Sequence, residues 1–145
     1  MVFIDFGVEI STDLTRDRLA KAGVKATWLP RQSHPDFLRI QQLCAVSLDP
    51  PAWNGGFTTL FGLGAGGALV TLPGEFMRGR HSLAFMTQAN VQGLIASSPE
   101  EYIEFATDFD RIHETMKGLN VQGMLEDRAV PPAINAFFRK AAGRR

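Results

Sequence analysis

Apolar and polar positions follow two different periods along this chain. VFIDFGVEI (2–10) is dense in β-branched and aromatic residues and predicts a strand interrupted at Gly7. STDLTRDRLAKAG then takes a helical spacing, with Ser11 or Thr12 as cap, Leu19 and Ala22 on the buried side, and Gly23 as the stop. VKATWLP is short and extended, and Pro30 closes it. SHPDFLRIQQLCAV predicts a second helix. Ser33 or His34 caps it, Pro35 suits its first position, and Phe37, Ile40, Leu43 or Cys44, and Val46 recur on one side. That helix must end before DPP (49–51), and PAWNGG reads as a loop.

The middle of the chain changes period. FTTLF (57–61), ALVTL (68–72), SLAFMT (82–87) and VQGLIA (91–96) are four short runs of strand-like composition. The breaks between them, GLGAGG, PGEFMRGR and QAN, are too short for crossover helices, so the pattern predicts an antiparallel meander. Ser98, Pro99 and Glu101 then form a capping box for a helix carrying Tyr102, Phe105 or Ala106, Phe109, Ile112 and Met116 as one stripe. A last helix, 131–142, turns Ile134, Phe137, Phe138 and Ala141 inward and ends in Arg139, Lys140, Arg144 and Arg145. The expected fold class is α+β: an antiparallel four- to five-stranded sheet covered by helices, in a single domain over 1–145.

GLGAGG (62–67) matches the G-x-G-x-x-G pattern of dinucleotide sites. A pyrophosphate turn must open a helix, however, and ALVTLP reaches Pro73 after five residues. No acid stands about twenty positions on, and no Lys-Ser or Lys-Thr follows as in a P-loop. The glycines therefore predict a hairpin connection.

Composition narrows the classes further. The 145 residues are 45% hydrophobic, enough for a core without disulfides. Fifteen basic and fifteen acidic side chains cancel, so no global field favours nucleic acid or an anionic membrane. One cysteine, Cys44, excludes an internal disulfide and a Cys-rich zinc site. No basic leader, no membrane-length apolar run and a single thiol suggest a cytoplasmic protein.

Candidate chemistry is scattered. His34, His81 and His113 have no metal-site spacing. His81 sits in RGRH (78–81), a basic loop that either meets an anion or is simply solvated. Cys44 reads as a buried structural thiol. Asp5, flanked by phenylalanines, either has a raised pKa or points outward from the strand, and Glu9 follows nearby. These residues define no active site, metal site or cofactor site.

LIASSPEEYIEFATDF (94–109) carries a family resemblance. It resembles the end of the SUKH superfamily domain, in which a short meander enters a final helix through Ser, an aromatic and acids. Here that start is Ser98-Pro-Glu-Glu-Tyr102, with proline replacing the aromatic. RLAKAGV (18–24), Leu29-Pro30 with DFLRI (36–40), and Asn54-Gly55-Gly56 extend the likeness over residues 12–117, leaving 119–145 as a helical extension. The chain departs from it in an extra first strand, four residues between Val24 and Leu29, and the last helix. The resemblance implies a non-enzymatic bacterial immunity protein that neutralises a toxin by binding it. Glu100, Glu101, Glu104 and Asp108 would then be an acidic partner-binding face, and Trp53 a loop anchor. The alternatives are a small-molecule domain or small enzyme with a pocket between sheet and helices near Asp5, His81 or Cys44, and a subunit that oligomerises through its last helix.

Overall fold

The computed structural model describes residues 1–5, 7–126 and 128–143. Arg144 and Arg145, expected at the basic end of the last helix, lie outside the described residues. The chain divides into two compact units, Met1–Ile40 and Gln41–Arg145.

The first unit is a βαβ turn. Strand β1 (Val2–Ile4) leads through helix α1 (Glu9–Lys21) to β2 (Thr27–Leu29). The strands pair in parallel, with Val2 opposite Thr27 and Ile4 opposite Leu29. Parallel pairing requires a crossover, which is why a helix fills the connection. Phe3 stacks on Trp28 at 4.9 Å between ring centroids. The Arg16 guanidinium covers the Trp28 ring at 4.8 Å. Helix α2 (His34–Leu43) follows, and the division between units falls within it.

The second unit repeats the same logic. β3 (Ser47–Leu48) pairs in parallel with β4 (Leu69–Val70), and helix α3 (Phe57–Gly64) connects them. Helix α4 (His81–Gln88) then carries the chain to Ile95, which bridges Thr71 in the parallel sense. Helices α5 (Pro99–Thr107), α6 (Phe109–Met116), α7 (Val121–Leu125) and α8 (Val130–Ala141) complete the chain.

The expected antiparallel four- to five-stranded sheet is therefore corrected. Helices hold more than half of the residues, and the described strands form two short two-stranded parallel sheets. Two of the four strand-like runs are the crossover helices themselves. In FTTLF and its continuation, the buried positions are Thr59, Gly62 and Leu63. In SLAFMT they are Ser82 and Met86. Both sets have helical spacing, but windows of five or six residues fit either period, and β-branched and aromatic content then misleads. VQGLIA is a single 3₁₀ turn, Gln92–Leu94, before the bridge at Ile95.

The glycine string has neither role weighed for it. It closes α3: Gly66 adopts φ +85°, its N–H donates to Leu63 C=O at 2.9 Å, and Gly67 N–H donates to Gly62 C=O at 2.9 Å. This pair of bonds is a Schellman cap, whose left-handed residue favours glycine.

The core of the second unit gathers Leu63, Val70, Met86, Val91 and Leu94, with Phe105 and Ile112 docking from α5 and α6. The single helix expected over 98–117 breaks at Asp108, whose side chain accepts from Arg111 N–H at 2.9 Å and caps α6. The break shifts the helical phase and leaves Phe109 outside. The last helix also departs from expectation. Phe137 and Phe138 are 67% and 63% exposed, and Ile134 is exposed as well.

This contrast predicts unequal mutational costs. Leu63→Ala should lower urea-unfolding stability by about 3 kcal/mol, as for other buried leucines. Phe138→Ala should change it by less than about 0.5 kcal/mol. A large loss at Phe138 would show that α8 is packed.

Candidate anion-binding site at the start of α3

β3 hands the chain to Asp49, which is only 2% exposed. All four of its polar groups are engaged. Its N–H donates to Val70 C=O at 3.1 Å, continuing the parallel ladder. Its Oδ1 accepts from Gly55 N–H at 2.8 Å, and its Oδ2 from the Thr71 hydroxyl at 2.7 Å. Its C=O accepts from the Tyr102 hydroxyl at 3.1 Å, which brings α5 to the site. None of the ion pairs of the described residues involves Asp49. Its hydrogen-bond partners are all neutral groups.

The loop from Asp49 to α3 is clamped by its neighbour, 74–79. Asn54 N–H donates to Arg78 C=O at 2.8 Å, and Arg78 Nε donates to Ala52 C=O at 3.3 Å. Gly74 and Gly79 lie so close to the Pro51 carbonyl that a Cβ would meet it at 2.7 and 2.5 Å. Asn54, 1% exposed, donates through Nδ2 to Pro50 C=O at 2.9 Å. Its Oδ1 is buried with no hydrogen-bond partner.

α3 begins at Phe57 with Gly56 as its N-cap, and no side chain caps it. The first turn of any α-helix has N–H groups without intrahelical partners, and these carry a partial positive charge. A Cβ on Gly55 would sit 2.5 Å from Thr59 Oγ1 and 2.6 Å from Thr58 Oγ1. Two hydroxyls therefore border the space that glycine leaves open. Thr59 Oγ1 lies 3.1 Å from Ser82 Oγ in the first turn of α4. α4 also begins without a side-chain cap, behind Arg80. Two helix starts thus meet through a pair of hydroxyls. Uncapped amides, hydroxyls and a nearby arginine suit an oxyanion such as phosphate.

The residues singled out from sequence fall differently. Trp53 is 70% exposed in the clamped loop. Glu101 is drawn back to Ser97, whose hydroxyl and N–H donate to its Oε2 at 2.7 and 2.8 Å and hold its carboxyl below the usual range. Ser98 accepts from Glu101 N–H at 3.2 Å, as the capping box requires. Asp108 caps α6, while Glu100 and Glu104 are exposed. Asp5 belongs to the first unit. Gly7 N–H, then the Thr12 hydroxyl, lower its pKa rather than raise it. Glu9 is the exposed first residue of α1. Cys44 follows α2 half-buried, His34 and His81 open α2 and α4, and His113 is exposed on α6. Among the described residues, no three His, Cys, Asp or Glu side chains gather to hold a metal ion. No helix of the described residues is long and apolar enough to cross a membrane.

Sequence reasoning missed Thr58, Thr59 and Ser82 because it placed FTTLF and SLAFMT in strands, and Asp49 because it read DPP only as a helix stop. The usable signal was Asn-Gly-Gly before two threonines, with buried positions recurring at helical spacing.

Parallel βαβ units with a helix after each strand define an α/β architecture. The comparisons with known proteins give that class a family. The model described as glycosyl transferase family 41 matches residues 18–132. The chain belongs to glycosyl transferase family 41. Among solved structures, it is similar to a mutant O-GlcNAc transferase of Thermobaculum terrenum, with a TM-score of 0.76 and 24% identity. That match covers 96% of this chain and 29% of the other, so this chain spans less than a third of that protein's length. The likeness to the SUKH superfamily and the immunity function it implied are overturned by this family match. The shared features were a helix cap, an Asn-Gly turn and a helix stop, which recur in any fold that needs those turns. The expectation of a non-enzymatic domain is corrected too, since the family is one of glycosyl transferases.

Two predictions follow from the geometry. Burial, then the nearby Asp49 charge, push the Tyr102 hydroxyl up to about 12. Tyr102 is the only tyrosine, so tyrosinate absorbance reports it alone. Its midpoint should lie well above the ordinary ~10. The stability linked to it should be intact below pH ~10 and lost as pH rises through the folded value. A midpoint near 10 would mean that α5 does not dock on Asp49. Separately, Gly55→Ala should cost only about 1 kcal/mol of stability, as its Cβ turns the Thr59 hydroxyl away from Ser82. It should also lower pyrophosphate affinity at least tenfold in calorimetric titration.

Proposed function

We propose that this chain supplies the part of a glycosyltransferase that holds the phosphate-bearing leaving group of an activated sugar donor. One observation carries the reading: the uncapped start of α3, at the carboxyl end of a parallel strand, with the Gly55 space bordered by the Thr58 and Thr59 hydroxyls. Membership of glycosyl transferase family 41 supports it.

In glycosyl transfer, the bond from the anomeric carbon to the leaving oxygen breaks. The electron pair stays on the phosphate, and an acceptor oxygen bonds to carbon and loses its proton. Negative charge grows on the leaving phosphate as the bond lengthens. Donors already aimed at that charge stabilise the transition state more than the ground state. The N–H groups of α3's first turn and the Thr58 hydroxyl would fill this role. Arg80, whose Nη1 donates to Gly74 C=O at 3.0 Å, would hold positive charge nearby. The alternation of unequal helices with parallel strands favours this reading over a helical-repeat scaffold, which needs paired helices of constant period.

Isothermal titration of the chain with inorganic pyrophosphate and with a panel of nucleoside diphosphates tests the reading. Binding at a Kd of about 0.1–1 mM, equivalent to roughly 4–5.5 kcal/mol, is expected. It should weaken as salt rises, because the attraction is electrostatic. No binding at several millimolar, or binding unchanged in Gly55→Ala, would reject the α3 site.

A further inference from the structure

We infer that Asp49 is a positioning residue for the α3 anion site: its carboxylate presets the Gly55–Gly56 turn so that the first amides of α3 stay free for a ligand. The inference rests on the proposed function and extends it to a residue that need not touch the donor. Asp49 is the only buried charged side chain among the described residues. A buried charge without a countercharge is costly, so its retention needs a return in structure. Its bonds show where that return falls. Oδ1 takes Gly55 N–H, the donor just ahead of the N-cap, at 2.8 Å. Oδ2 is held by the Thr71 hydroxyl at 2.7 Å, one residue beyond β4. The backbone of Asp49 is tied on both sides, to Val70 and to Tyr102. The carboxylate therefore cannot swing outward to compete with an anion, and Gly55 cannot rotate its N–H away. Gly56, with open space where a Cβ would be, follows from that fixed point into the helix.

What the turn needs is an acceptor at the Oδ1 position rather than a full negative charge. Asn offers that acceptor at the same reach, and the Thr71 hydroxyl can accept from its amide nitrogen. Asp49→Asn should therefore keep pyrophosphate affinity within about threefold of the parent chain, whereas Asp49→Ala should lose about tenfold or more, the scale of a hydrogen bond to a charged group.

The test compares the parent chain, Asp49→Asn and Asp49→Ala in three measurements. These are pyrophosphate titration, hydrogen exchange at the Gly55 amide, and the Tyr102 absorbance midpoint. The Gly55 amide should be protected in the parent and in Asp49→Asn, and exchange faster in Asp49→Ala. The Tyr102 midpoint should fall in both variants, as the neighbouring charge is lost, yet stay above the ordinary value because the ring remains buried. That result certifies that α5 is still docked and that Asp49→Ala is folded. Equal Gly55 protection in all three chains would overturn the positioning role, as would equal affinity losses in Asn and Ala. A parent chain that protects Gly55 but binds no pyrophosphate would instead reject the α3 site, and with it any positioning role toward a ligand.

Discussion

A buried carboxylate with four engaged polar groups sets the geometry of the second unit. Asp49 joins the end of β3 to β4 through its N–H, to Thr71 and Gly55 through its side chain, and to α5 through its carbonyl. Strand, neighbouring strand, loop and helix thus converge on one residue. Each polar atom of Asp49 has a hydrogen-bond partner, which offsets part of the cost of burying its charge without an ion pair. The loop that follows inherits its path from this node and from the close passage of Gly74 and Gly79 against Pro51. Only glycine permits that approach, since any Cβ would collide with a carbonyl.

Parallel pairing supplies the second constraint. A strand that must return beside its predecessor in the same direction needs a crossover, and a helix is the usual one. α3 therefore follows β3 through the loop 49–56, so its uncapped start comes after the carboxyl end of a parallel strand, the edge at which α/β domains bind their ligands. The chemistry proposed for the chain follows from that topology more than from any strongly reactive side chain. Donors fixed in advance toward a developing phosphate charge need no reorganisation when the sugar departs.

Much of the helical content was legible in the residues. The Ser98–Glu101 capping box, the start of α2 near Pro35 and the stop after α1 all formed as read, because caps are local events within one turn. GLGAGG opens no helix, but it caps the end of α3 rather than joining two strands of a hairpin. The assignment of FTTLF and SLAFMT to strands failed. Their threonines and phenylalanines carry β preference, and the decisive burial of Thr59, Leu63, Ser82 and Met86 is a tertiary fact.

The sequence by itself determined the stop of α1 at Gly23, the start of α2 beside Pro35 and the Ser98–Glu101 cap of α5. Those properties depend on dihedral preference and neighbouring side chains. The tertiary structure alone decided that the strands run parallel, that two apparent strands are helices, and that Asp49, Gly55, Thr59 and Tyr102 come together. Residues separated by as many as fifty-three positions meet there, as Tyr102 meets Asp49. Only the packing of helices onto strands brings them together, and no local pattern encodes that packing.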